Sequence, residues 1–123
     1  VVYRATRSTK RRAHLARQSW DELGMIHAKM ARLDTKAMVA VKAAFGPESA
    51  REHCWLRIDT LEGNTAIGVL DADARMVPGL QEGDVHRVNR DEISDWCVVL
   101  NDKRFDPESV PALWRAVDAL GAS

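Results

Sequence analysis

The stretch Arg51 to Leu61, REHCWLRIDTL, restricts the possible folds more than any other part of the chain. Cys54, Leu56, Ile58 and, at the end, Thr60 share one parity, and Trp55, Arg57 and Asp59 share the other. Successive side chains of a strand point to opposite faces, so this is a half-buried β-strand. The cleaner apolar side, Cys54-Leu56-Ile58, looks into a core, and Trp55 must pack on the opposite face. Glu62-Gly63-Asn64 then offers hairpin chemistry leading into a second alternating run, Thr65 to Leu70, through Ile67 and Val69. A hairpin of this kind needs further strands and a helical cover to be stable.

The flanking segments supply both. Residues 1–8 read as a loose lead-in and residues 9–33 as helical, with Ser8 or Thr9 as cap. Ala13, Ala16, Trp20, Leu23, Ile26 or His27, Met30 and Leu33 recur at spacings of three and four, which puts one apolar stripe on a core. Gly24 interrupts that stripe, and a kink or a break into two helices is expected there. Asp34-Thr35 reads as a turn. Lys36 to Phe45 forms a first strand with Val39, Val41 and Phe45 on one face, and Gly46 to Ser49 turns the chain. Asp71 to Arg75 reads as a loop. Met76 to Leu80 is a short apolar crossing in which Pro78 rules out a central ladder position. Short strands follow around Val85 and Val88 and from Ile93 to Leu100. A closing helix over residues 106–120 has Asp106 as cap and Pro107 at its first position. Residues 36–100 thus form the sheet of a single domain, 1–123. The class is α+β, with a strongly bent antiparallel sheet of four to five strands and an SH3-like variant among its possible forms.

Composition narrows the function classes. At 123 residues the chain can bury a core without disulfide or metal support. No apolar run reaches the ~18 residues of a membrane span, and VVYRATR carries neither an initiator Met nor an apolar signal core. The chain therefore reads as an excised piece of a larger protein without a secretion signal, and its two cysteines, Cys54 and Cys97, as buried thiols of a reducing cytoplasm. Formal net charge is zero, yet residues 1–33 hold Arg4, Arg7, Lys10, Arg11, Arg12, Arg17, Lys29 and Arg32 against Asp21 and Glu22. Such a basic arm can meet nucleic acid, form a solvated helix face, or rest against the protein's own acidic part.

Chemistry-bearing patterns are few. Adjacent strand positions keep Cys54 and His53 on opposite faces, so they form no nucleophile–base pair. His14, His27, His53 and His86 lack metal-ligand spacing, and Gly63, Gly68, Gly79 and Gly83 form no phosphate-cradling loop. No metal and no cofactor are expected. Glu52, His53, Trp55, Asp95 and Trp96 remain as candidate partner- or ligand-binding residues, because a Trp offers rigid area and a neighbouring charge orients a partner. The competing reading has His53 and Asp95 bonding turn backbone or each other while both tryptophans fill the core.

Several segments in order carry a family resemblance: Ala13-x-x-Ala16-Arg17-x-Ser19-Trp20-x-x-Leu23, Val39-Ala40-Val41-Lys42-x-x-Phe45, Glu52-His53-x-Trp55, Gly68-x-Leu70, Gly83-Asp84 and Ile93-Ser94-Asp95-Trp96. Together they resemble the bacterial YegJ-like family, domain of unknown function 2314, over about Ala13 to Leu100. The resemblance brings no catalytic motif. It leaves the segment from Asp106 to Leu120 as an addition that could build an interface. In size and mixed charge such domains are similar to small bacterial proteins encoded beside toxins that neutralise them, an analogy only. The leading expectation is a non-enzymatic protein-binding module, of immunity or accessory type, with a cognate toxin or effector as partner. A small ligand-binding or enzymatic domain with a pocket near Glu52, His53 and Asp95 is the first alternative. Nucleic-acid binding through the N-terminal arm is the second. In all three readings Glu52-His53-x-Trp55 and Asp95-Trp96 are expected to meet across the sheet.

Overall fold

The computed structural model describes residues 7–33, 36–72, 77 and 79–121. Two helices, α1 (Arg7–Gln18) and α2 (Trp20–Met30), precede six strands: β1 (Ala37–Phe45), β2 (Glu52–Glu62), β3 (Thr65–Leu70), β4 (Val85–Asn89), β5 (Ile93–Leu100) and β6 (Lys103–Phe105). Helix α3 (Val110–Gly121) closes the chain. The sheet is antiparallel throughout, in the order β4-β3-β2-β1-β5-β6. The class is therefore α+β, as expected, but the strands number six. The sheet is open, with β4 and β6 as its edges, so this order provides no closed barrel for the SH3-like variant.

The uncounted strand is β6, whose three residues are too few to display alternation. Its hairpin is nonetheless encoded. Asn101 and Asp102 form a two-residue loop with φ of 50° and 68°, the left-handed pair that a type I′ turn requires and that Asn and Asp tolerate. The expected turn at Asp34-Thr35 lies outside the described residues, as do Met76 and Pro78 of the crossing at 76–80 and most of the lead-in.

The sheet doubles back on itself. A straight strand of 11 residues, the length of β2, spans ~36 Å. The β2 register shifts between Ile58 and Thr60, and such a bulge bends a strand. Beyond it the hairpin tip returns toward the start of β5: Arg90 N–H donates to the Asn64 carbonyl at 2.8 Å, three residues before Ile93 pairs with Ala43. The Phe45 ring likewise meets the His86 ring edge-on at 5.0 Å, although β2 and β3 lie between their strands in the sheet order. A 3-10 turn, Arg90–Glu92, makes the crossing from β4 to β5, closed by a capping box between Asn89 and Glu92.

The helices cover one face. Trp20, Leu23 and Ile26 of α2 and Leu113 and Val117 of α3 are fully buried with Val41, Leu56, Leu70, Trp96 and Val98 of the sheet. Helix α3 starts one turn later than its sequence implies. Asp106 accepts from the Glu108 N–H and the Ser109 hydroxyl in a preceding turn, and Pro111 occupies the first helical turn, where no intrahelical N–H is needed.

The break between the first two helices falls at Ser19 rather than Gly24. Ser19 donates its hydroxyl to the Leu15 carbonyl at 2.7 Å, and that same oxygen accepts the Trp96 indole N–H at 2.9 Å. The next residue, Trp20, donates its indole N–H to the Gly63 carbonyl at the hairpin tip. Gly24 instead runs through α2 where a Cβ would come within 3.2 Å of the Leu61 side chain, so it serves close approach rather than a break.

Two outcomes follow for stability. Ser19→Ala strips a buried indole of its acceptor and should cost about 1–3 kcal/mol, read as a lowered urea midpoint with unchanged slope. Gly68→Ala should cost more than Ser19→Ala, because its Cβ would strike the Arg57 carbonyl oxygen of the neighbouring strand, which cannot move without disturbing the β2 bulge.

Candidate functional site

Register assigns each candidate residue to a face. Cys54 pairs with Ala43 and Leu56 with Val41, all on the helix-covered side. Trp55 pairs with Lys42, and Lys42 with Asp95, so this row belongs to the other side, on which no described helix packs. Trp96 pairs with Val41 and is fully buried under the helices. The two tryptophans thus lie on opposite faces: Trp96 is core, while Trp55 is only half-buried.

On the helix-free face, Trp55 is flanked by cations. Lys42 Nζ lies 5.8 Å and the Arg104 guanidinium 5.6 Å from its ring centroid. Arg104 reaches Trp55 from β6, with β1 and β5 lying between it and β2, across the row formed by Ala40 and Cys97. Small side chains there allow the crossing, and the crossing explains why both are buried despite lacking a helical cover (4% and 5% exposed). Burial raises the Cys97 thiol pKa. Cys54, also raised by burial, lies on the other face, and both thiols are free.

His53 shares the parity of Trp55 and pairs with Ala44. The small Ala44 lets the imidazole reach β5, where Nδ1 lies 3.0 Å from the Ser94 hydroxyl. Ser94 itself stands in the β5 register shift opposite Lys42 and Ala43. Burial, reinforced by Lys42 and Arg51, lowers the His53 pKa. Asp95 does not join His53. β6 pairs only with Val98, Val99 and Leu100, leaving the first half of β5 as an edge. There Asp95 accepts from its neighbour's backbone, Trp96 N–H at 2.8 Å, and from Arg12 Nε of α1 at 3.0 Å. Glu52 pairs with Phe45 at the start of β2, on the helix-side parity. The five candidates therefore divide: His53 and Trp55 share the helix-free face, Trp96 is core, Asp95 ties helix to strand edge, and Glu52 sits at the sheet's end.

Sequence reasoning did not select Lys42, Ser94 or Arg104. Only strand register brings them to His53 and Trp55, and register between distant strands leaves no local signal. The charge split, by contrast, resolves within the fold. Arg12 meets Asp95, Asp106 and Glu108 at 3.0, 3.1 and 3.5 Å, Arg11 meets Glu108 at 2.9 Å, and Lys29 meets Asp118 at 2.6 Å. Burial opposes the Arg12 charge, but its three carboxylates outweigh it and raise the Arg12 pKa. Arg17 donates to the Ile93 carbonyl on the strand edge that β6 leaves unpaired. Much of the basic arm rests against the protein's own acidic half. Among the described residues, no cluster of His, Cys, Asp and Glu could hold a metal ion, and no helix is long and apolar enough to cross a membrane.

A family model described as "Uncharacterized protein conserved in bacteria (DUF2314)" matches residues 8–118, and the chain belongs to that family. The "Uncharacterized protein YegJ" of Escherichia coli (strain K12) is 30% identical over 74 residues, covering 60% of this chain. The match spans 48% of that relative, about half its length. No solved structure matches. The family match corrects one expectation: it runs to residue 118, so α3 is part of the family's domain, in keeping with its buried Leu113 and Val117.

The histidines give a pH dependence. His27 and His53 both have pKa values below the usual 6.5 in the folded state, burial being the first cause for each. The unfolded chain binds more protons in that range, so the stabilisation is full above pH 6.5 and is lost as pH falls through 6.5 toward the folded values. The urea midpoint should drop between about pH 7.5 and 5.5, and His27→Gln with His53→Gln should flatten that slope.

Proposed function

We propose that this domain is a protein-binding module whose contact surface is the helix-free face of the sheet, centred on Trp55. The observation that carries this reading is Trp55 itself. A large ring left half-buried on an uncovered face, with Lys42 and Arg104 against it, has the composition of an interface anchor rather than of a core residue. His53 borders the same face. In the immunity-type form of this proposal, the partner is a bacterial toxin or effector encoded nearby, and binding blocks it stoichiometrically. Trp96 then supports the surface from behind by filling the core beneath β5, and Asp95 fixes the β5 edge to α1, while Glu52 lies at the end of the sheet.

One observation favours the ligand-binding or enzymatic alternative, namely the 3.0 Å contact between His53 Nδ1 and the Ser94 hydroxyl. A hydrolytic dyad also needs a group that orients the base, and the acid expected for that role, Asp95, is engaged by Arg12. Nucleic-acid binding through the arm has less support, because Arg11, Arg12, Arg17 and Lys29 are engaged within the protein.

Co-expression with the products of neighbouring genes, followed by affinity capture and mass measurement of the complex, tests the proposal. The wild-type domain should hold one partner in a fixed ratio. Trp55→Ala should reduce capture at least tenfold, a loss of about 1.4 kcal/mol or more, while circular dichroism shows it folded. Capture unchanged by Trp55→Ala would remove the proposed surface. A catalytic turnover abolished by Ser94→Ala would favour the alternative.

A further inference from the structure

From the distribution of charge over the two faces we infer that the partner presents an acidic protein surface to the Lys42–Trp55–Arg104 cluster. This inference rests on the binding face proposed above and adds the chemistry of what it binds. The chain is neutral, but most of its close ion pairs lie on the helix side. On the helix side, Arg11, Arg12, Lys29 and Arg90 each face a carboxylate of the same chain. On the helix-free face, Lys42, Arg87 and Arg104 have no carboxylate partner among the described residues. Arg87 belongs to this face because it pairs with Ile67, one position out of phase with the buried Ala66. The acids beside the cluster are already taken, Asp71 by Arg57 at 3.3 Å and Asp95 by Arg12, and Asp59, the exposed acid of the Trp55 parity, offsets one cation at most. The neutral total therefore conceals a face that is positive in excess.

The cluster is also held in place. Lys and Arg lose rotamer freedom when they form an ion pair, and that loss removes most of the value of an exposed pair. Two cations resting against one indole have part of this ordering done before a partner arrives. Carboxylates approaching Trp55 would meet Lys42 and Arg104 around a desolvating aromatic surface, where a charge pair is worth more than at a rim. Nucleic acid is the weaker fit. A base needs a free ring face to stack on, and both cations already lie over the Trp55 ring.

The intact domain should be titrated with a fluorescein-labelled poly-glutamate peptide and, separately, with a labelled thymidine oligonucleotide of equal charge, read by anisotropy at low and high salt. The peptide is expected to bind, to weaken steeply with salt, and to lose roughly tenfold or more in affinity with Lys42→Glu plus Arg104→Glu. Arg11→Glu plus Lys29→Glu, on the helix side, should leave peptide affinity within a factor of about three. Arg87→Glu, at an exposed edge position, provides a second sheet-face variant should the first pair fail to fold. Absence of peptide binding, equal loss from the helix-side variant, or tighter binding of the oligonucleotide would each overturn the inference. With a captured partner, loss by Trp55→Ala but not by charge reversal removes the acidic partner and leaves the binding face standing. Retention by both variants removes the binding face as well.

Discussion

The hydroxyl of Ser19 is the point on which the rest of the structure depends. It donates to Leu15 in α1 and accepts from Trp96 in β5, and the adjacent Trp20 donates to Gly63 at the β2–β3 tip. Both indoles are fully buried, and a buried N–H without an acceptor costs about 1–3 kcal/mol. One residue thus ends the first helix, satisfies a strand tryptophan, and sets the next tryptophan against the hairpin. The doubled-back sheet follows from that constraint. The hairpin tip must come within bonding distance of the start of α2, so β2 cannot run straight, and the register shift after Ile58 is where it bends. Gly68 sits beside that shift, where the absent side chain admits the Arg57 carbonyl.

Electrostatics then attaches the helical layer to the sheet edge. The first half of β5 has no β6 partner, and an open edge is a site for unwanted pairing. Here α1 occupies it: Arg17 takes the Ile93 carbonyl, and Arg12 takes Asp95 while also holding Asp106 and Glu108 ahead of α3. The split between a basic first third and an acidic remainder is thereby an internal seam.

Much of the fold could be read in the sequence because most of its determinants are local. The alternation in β2, the hairpin at Glu62 to Asn64 and the apolar stripe through Trp20, Leu23 and Ile26 each depend on near neighbours. The helix break was misplaced because Gly24 has a strong general meaning and Ser19 a specific one. Only the position of Trp96, 77 residues away, shows why the serine matters. The candidate site was less legible for the same reason. Parity within β2 placed Trp55 opposite Cys54, as found, yet the expectation that it meets Trp96 needed the register between β1 and β5. That register puts Val41, not Lys42, beside Trp96.

This separation of the tryptophans bears on function. Trp96 and Trp55 are similar in size, and burying either would yield a comparable hydrophobic gain. The fold takes that gain fully for one and forgoes part of it for the other, leaving a large ring half-covered beside two cations. A purely structural role for Trp55 would be better served by a β-branched residue on an exposed strand face, which has high strand propensity and less apolar area to shield. Lys42 and Arg104 keep the ring from forming a bare apolar patch, and so lower the risk of indiscriminate association. Retaining aromatic area while screening it with charge favours a partner that can displace water from the ring and match the cations. Such a partner gains from both terms, whereas a neutral apolar surface would have to bury Lys42 and Arg104 without compensation.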